Sequence, residues 1–117
     1  MSKANLHQRL NRISEITLSV KGRKSGKDIP RQVWFVHEGS ILYLLPVHGS
    51  NTNWHKNLLV NPALKISING TEIPTRGKPI ADRNRVDDIV RRFRSKYGDG
   101  DVKKYYTKFD VAVEVPL

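Results

Sequence analysis

Two short stretches hold residues able to bind a ligand. The first is Lys21-Gly22-Arg23-Lys24-Ser25-Gly26-Lys27. Two glycines let the backbone turn sharply and approach a ligand closely. Between them, two cations and a hydroxyl suit a phosphate or another anion. The spacing is not that of a nucleotide-binding P-loop and no helix follows directly, so an ordinary solvated hairpin loop explains the same residues. The second stretch runs from Pro46 to Leu58, PVHGSNTNWHKNL. Its Gly-Ser-Asn-Thr turn, entering a helix, offers backbone N–H groups to an anion or a carbonyl. Ser50 and Thr52 add hydroxyls, Trp54 can cover a flat ring, and Asn57 shares its helix face. A capped helix with Trp54 and Leu58 in the core accounts for the same pattern.

Other chemistries find little support. His48 and His55 are not an i, i+4 helical pair, and no third ligand is suggested by spacing, so no metal site is expected. His7 and His37 are expected at the surface or at strand edges. The chain has no cysteine, which excludes disulfides, thiolate metal sites and a cysteine nucleophile. No G-x-S-x-G, H-E-x-x-H or G-x-G-x-x-G motif is present, and the carboxylates do not pair at an acid–base spacing. An enzyme of this kind must borrow its chemistry. Flavin and deazaflavin enzymes do so: the cofactor moves the hydride, while the protein binds, orients and excludes water.

The elements that position these stretches are read from periodicity. Residues 4–13 form a short helix with Leu6, Leu10 and Ile13 on one face. Glu15 to Val20 alternates as a half-buried strand. Gln32 to His37 is a second strand, apolar on both faces. Glu38-Gly39-Ser40 turns it into a third, residues 41–47. Trp54 to Val60 is a short helix, capped by Asn51 or Thr52 and ended by Asn61-Pro62. Leu64 to Ile68 is a fourth strand, and Asn69-Gly70 is a strong hairpin turn. The fifth, Glu72 to Ile80, contains Pro74, Gly77 and Pro79, the mark of an edge, bend or bulge. Asp82 caps a helix carrying Val86, Ile89, Val90, Phe93 and Tyr97 on one face, and Gly98 stops it. A basic aromatic segment, Lys103-Lys104-Tyr105-Tyr106, precedes a sixth strand, Val111 to Val115. The expected fold is mainly β, of the α+β class: a six-stranded antiparallel barrel with peripheral helices.

The 117 residues fit one domain, 1–117. Hydrophobic residues are 38% and charged residues 27%, a globular balance. No apolar stretch reaches membrane-spanning length, and the first residues lack a signal-peptide core, so a cytoplasmic location is expected. The net charge of +10 comes from 21 Lys and Arg against 11 Asp and Glu. Such a surface draws polyanions: nucleic acid, acidic lipid or a phosphorylated cofactor. The cations cluster at residues 21–31 and again at 83–104.

As a set, "GRKSGK" after a strand, "VWFV", "LYLLPVHGS", W-x-x-N-L-x-x-N-P over Trp54–Pro62, and "RGKPI" resemble the deazaflavin (coenzyme F-420)-dependent nitroreductase and quinone reductase family. The resemblance covers about Ile16 to Ile80. It implies a split β-barrel of the pyridoxamine phosphate oxidase and flavin reductase type, dimeric, with the cofactor in a groove. It implies cofactor contacts from Gly22, Arg23, Lys24, Ser25 and Gly26 to the anionic tail. Pro46, Val47, His48, Gly49 and Ser50 lie along the ring or its linker, Trp54 and Asn57 close that side, and Thr75 and Arg76 stand near the ring. Asp28-Ile29 separate the loop from Pro30-Arg31, unlike many family members, so Arg31 is not carried over. Tyr105 and Tyr106 are the proton-donor candidates, with Tyr97 nearby in sequence.

The expected activity is hydride transfer from reduced F-420 to a quinone, nitro compound or activated alkene. FMN in the same groove is the alternative cofactor, although its single phosphate uses fewer of the cations. A non-enzymatic alternative is a basic small barrel that binds nucleic acid, with Trp34, Tyr43, Tyr105 and Tyr106 stacking bases. A structural or sensory dimer without cofactor is a third.

Overall fold

The computed structural model describes residues 3–117, with side chains from residue 8 onward. Leu6 and His7, assigned above to a helix face and to the surface, have side chains outside the described residues. The elements in chain order are α1 (Lys3–Arg12), β1 (Ile16–Lys21), β2 (Asp28–Val33), β3 (Val36–Glu38) and β4 (Ile41–Leu44). They continue with α2 (Asn53–Val60), β5 (Ala63–Ile68), β6 (Thr71–Arg76), β7 (Lys78–Ile80), α3 (Arg83–Tyr97), α4 (Asp99–Tyr105) and β8 (Ala112–Pro116). Two antiparallel four-stranded sheets result, ordered β2-β1-β5-β6 and β3-β4-β8-β7.

The fold is α+β, but it has eight strands where the periodicity predicts six. Two of the expected strands are each cut and pass from one sheet to the other. The second breaks at Trp34-Phe35, where the peptide groups leave the ladder for partners on α3. Phe35 N–H donates to the Tyr97 hydroxyl at 3.0 Å, and its carbonyl accepts from Lys96 Nζ at 2.9 Å. The fifth breaks at Gly77. A Cβ there would lie 2.8 Å from Leu58 Cδ1 and 2.9 Å from Leu64 Cδ2, so only glycine lets the backbone turn against the core. Sheet switching at a bend closes the barrel without a bulky corner.

The other turns follow the local code. Asn69 (φ 50°) and Gly70 (φ 84°) form the β5–β6 hairpin. Gly39 (φ 60°) opens the two-residue turn between β3 and β4. Asp82 caps α3, accepting from Asn84 N at 2.9 Å and Arg85 N at 3.2 Å. Thr52 occupies the cap position of α2 but does not cap it; its hydroxyl accepts His48 N–H at 2.8 Å instead. Residues 99–105 form the helix α4, which takes in most of the segment Lys103–Tyr106 expected only as basic and aromatic.

Two cores form. One fills the barrel, with Leu18, Phe35, Leu42, Leu44, Ile66, Val113 and Val115 fully buried. The other lies between the second sheet and the α3–α4 pair, around Val86, Phe93, Val102 and Ala112. Each buried aliphatic or aromatic side chain contributes about 1.5–3 kcal/mol. Among the described residues, no helix is long and apolar enough to cross a membrane.

Candidate functional site

The basic loop, residues 22–27, joins β1 to β2, whose last pair is Lys21 with Asp28. It is tightly tied. Gly22 N–H donates to the Lys27 carbonyl at 2.8 Å, Gly26 N–H to the Gly22 carbonyl at 2.9 Å, and Lys27 N–H to Ser25 Oγ at 3.2 Å. Gly26 sits at φ 69°, and a Cβ on Gly22 would meet Ser25 Oγ at 2.6 Å. The loop is also pinned to α2. Buried Asn57 accepts from Arg23 N–H at 3.2 Å and from Arg23 Nη1 at 2.8 Å through one side-chain oxygen. Arg23 and Lys24 are thereby held over a cavity of about 340 Å³ that also receives Ile29, Arg31, Asn53 and Asn57. Among the described residues, no carboxylate lines it. The Arg31 Nε is buried without a hydrogen-bond partner among the described residues. Burying a donor unpaired costs about 1–3 kcal/mol.

A second cavity, about 360 Å³, lies against the same strand and helix. Gln32 and Val33 follow Arg31 along β2, and Trp54 follows Asn53 on α2. Trp34, Val47, Tyr105 and Tyr106 complete its walls, with Glu15 at the rim. Trp34 stacks on Tyr97 with centroids 4.2 Å apart and planes 7° apart, and Tyr105 meets it edge-on at 5.5 Å. Tyr97 is locked in turn: its hydroxyl lies 2.8 Å from both the Ser14 and Phe35 carbonyl oxygens. Burial pushes the Tyr97 phenol up to about 12. Tyr106 is 6% exposed and burial pushes its phenol higher still, whereas Tyr105 is exposed.

The polar turn before α2 is closed by the protein itself. Gly49–Asn51 form a 3-10 turn. Asp110, from the segment before β8, accepts from Ser50 N–H at 2.9 Å and from Ser50 Oγ at 2.5 Å. Burial pushes the Asp110 carboxyl up, but the two Ser50 bonds, with the Lys108 charge, outweigh this and hold it below the usual carboxylate range. His48 Nδ1 lies 2.9 Å from Thr107 Oγ1, and Thr107 N–H donates to the Val47 carbonyl at 2.9 Å. The anion expected at this turn is therefore the protein's own side chain. His55, also in this region, is 2% exposed with neither ring nitrogen bonded. Burial holds its pKa down, against the pull of the Asp110 charge.

The structure thus brings Gly22, Arg23, Lys24, Ser25, Asn57, Val47 and Trp54 around two adjoining cavities. Pro46, His48, Gly49 and Ser50 flank them as the turn that Asp110 holds. Thr75 and Arg76 are elsewhere: β6 is the opposite edge of its sheet from β2. There Thr75 Oγ1 donates to the Pro116 carbonyl at 2.6 Å, and Arg76 borders another cavity with Pro62 and Glu114. Arg31, left aside by the motif, is inside; its alternation with Ile29 and Val33 on one strand was the signal. Asp110 and Glu15 carry no such local signal.

The architecture is that of split-barrel proteins. A pyridoxamine 5'-phosphate oxidase-like protein from Listeria innocua aligns with a TM-score of 0.73 at 14% identity, over 97% of this chain and 90% of that one. HutZ, the heme storage protein from Vibrio cholerae, aligns at 0.72 and 12% identity, over 97% and 87%. An F420-H2 dependent reductase, FDR-A, aligns at 0.68 and 15%, over 87% and 93%. At such identities the likeness is one of fold, and these three proteins differ in chemistry. No curated protein matches the sequence. Residues 7–113 match the family described as "Uncharacterized protein conserved in bacteria (DUF2255)", and the chain belongs to that family.

Proposed function

We propose that the protein is a deazaflavin-dependent oxidoreductase, reducing a small electrophile such as a quinone, nitro compound or activated alkene with reduced coenzyme F-420. One observation carries this reading. A cavity with three cations, no acid and an unpartnered buried Arg31 Nε adjoins an aromatic cavity on the same strand and helix. A ligand with an anionic tail and a flat ring matches that pair. The resemblance of the loop and turn motifs to F-420 enzymes, and the fold shared with FDR-A, point the same way.

Arg23, Lys24 and Arg31 hold the phosphodiester and glutamate tail by charge-assisted hydrogen bonds. Gly22, Ser25, Gly26 and Asn57 keep the loop in the shape that presents them. Pro46, Val47 and Trp54 border the ring, and His48, Gly49 and Ser50 form the tethered turn behind it. When bound, the deazaflavin supplies the hydride. The chain's own part is to bind, to orient, to exclude water with Trp34 and Trp54, and to hold a proton at the Tyr105 hydroxyl. Tyr106 is too deeply buried for that task. Thr75 and Arg76 lie outside the proposed site. Leu59 and Val60, 58% and 65% exposed on α2, offer apolar surface for a second copy in a homodimer.

Fluorescence titration with oxidised F-420 and with FMN, at low and moderate salt, tests the reading. Micromolar or tighter F-420 binding that is lost in the Arg23→Ala, Lys24→Ala double variant supports it. Tight FMN binding with none for F-420 keeps the groove and changes the cofactor. Binding of neither overturns it.

A further inference from the structure

We propose that His55 and the Ser50–Asp110 tether form a proton-operated latch at the start of α2: a proton on the buried His55 ring opens the turn of residues 48–52. Among the described residues, three fully buried side-chain polar atoms lack a hydrogen-bond partner, and two of them are the ring nitrogens of His55. The turn beside it is closed by its own backbone. His48, Gly49, Asn51 and Thr52 donate their N–H groups to oxygens within residues 46–52 at 2.8–3.1 Å, and Ser50 donates to Asp110. Gly49 lets that carboxylate in, since a Cβ there would collide with Asp110 Oδ1.

Asp110 is the charged group whose field bears on the His55 ring. Lys108 stands on the Asp110 carboxylate at 3.5 Å. Of the other charges around α2, Lys21 on β1 faces Asp28, Arg23 is bonded to Asn57, and Lys56, Arg76 and Lys78 are exposed. His48 is exposed and bonded to Thr107. Burial disfavours the charged ring, so the closed turn holds His55 neutral. An open turn lets water reach it. Below the ring's ordinary 6.5 the open form therefore binds the proton more tightly, and acid favours opening. Asp110 stays ionised through this window, because its own pKa is held down, and it draws the imidazolium in competition with Ser50. Trp54 and Asn57, on α2, line the aromatic and the basic cavity, so opening loosens both. The latch is independent of which ligand, if any, those cavities hold.

Native-state hydrogen exchange of the cofactor-free protein, read by NMR and corrected for the intrinsic effect of pH on exchange, tests the latch. The opening constant of amides 49–52 should rise about tenfold from pH 7 to pH 5, while those of Leu18 and Ile66 in the barrel change less than about twofold. The rise should be lost in His55→Leu and in His55→Gln, which differ in polarity but do not titrate, and kept in His48→Gln. No rise in the parent protein, an equal rise in the barrel, a rise that survives in a folded His55 variant, or one lost in His48→Gln overturns the proposal.

Discussion

Residues 22–31 and residues 83–104 are both basic, four cations against one acid in the first and eight against four in the second. Their fates differ. On α3 and α4 five of the eight cations are zipped to acids: Arg85 to Glu114, Arg91 and Arg92 to Asp88, and Arg94 and Lys103 to Asp99. Lys96 is turned inward onto the Phe35 carbonyl. In the loop, the single acid Asp28 is taken by Lys21 and Lys65, which lie outside it. Among the described residues, Arg23, Lys24, Lys27 and Arg31 have no carboxylate partner, and all but Lys27 line the cavity. Positive charge without a carboxylate, held over a cavity, is available to a ligand. Positive charge already paired belongs to a solvated helix face, where each pair contributes only about 0–1 kcal/mol.

The comparison can be broken at either end. The largest effect expected is on stability, at the apolar side of α3. Phe93 is fully buried, and Phe93→Ala should cost about 3–5 kcal/mol in denaturant unfolding. A loss under 1 kcal/mol would mean that the second core is not packed as described. Next is the loop. The Arg23→Ala, Lys24→Ala double variant should weaken binding of an F-420-type anion by about a hundredfold, while the lost Arg23–Asn57 bond lowers stability by only about 1–2 kcal/mol. Arg91→Ala with Arg94→Ala, the same charge removed from the paired region, should change that binding less than about twofold beyond the salt-dependent background. Equal losses in the two double variants would erase the distinction between the regions.

Smaller effects sharpen it. Asp110→Asn keeps the shape but gives up the charge that Ser50 bonds, and should cost about 1–2 kcal/mol in stability. A neutral result would show the turn to be held by Thr107 and the backbone alone. The helix behind the loop also differs from α3 in carrying a titratable core residue. His55 has its folded pKa lowered by burial. Above its ordinary value of 6.5 the ring is neutral in both states and pH has no effect through it. As pH falls below that value the unfolded chain takes up the proton first, so stability should fall, by at most about 1.4 kcal/mol per pH unit. His55→Leu should flatten that slope between pH 7 and 5; an unchanged slope would place the dependence at another group, though not at Asp110, whose contribution is lost only at lower pH.

Much of this molecule was legible as a string. Alternation fixed which faces of β1 and β5 turn inward, because a period of two admits only one buried set. Asn69-Gly70, Asp82 and Gly98 set a turn, a cap and a stop, since each acts on its own backbone within three residues. The basic loop and the polar turn before α2 were visible as clusters of residue types. The resemblance to F-420 enzymes pointed to the split barrel that the structural comparison then supports.

What only the tertiary structure decided spans long distances in the chain. The cuts at Trp34-Phe35 and at Gly77 depend on Tyr97, Lys96, Leu58 and Leu64, so two strands read as four. Ser50 finds Asp110 sixty residues on, which turns an apparent anion site into a tether. The two basic clusters look alike in sequence because charge is a property of each residue. Pairing is a property of where distant acids fall once the chain has folded. That is why composition announces a basic protein, and only the packed barrel separates the cations that serve the surface from those that face a cavity.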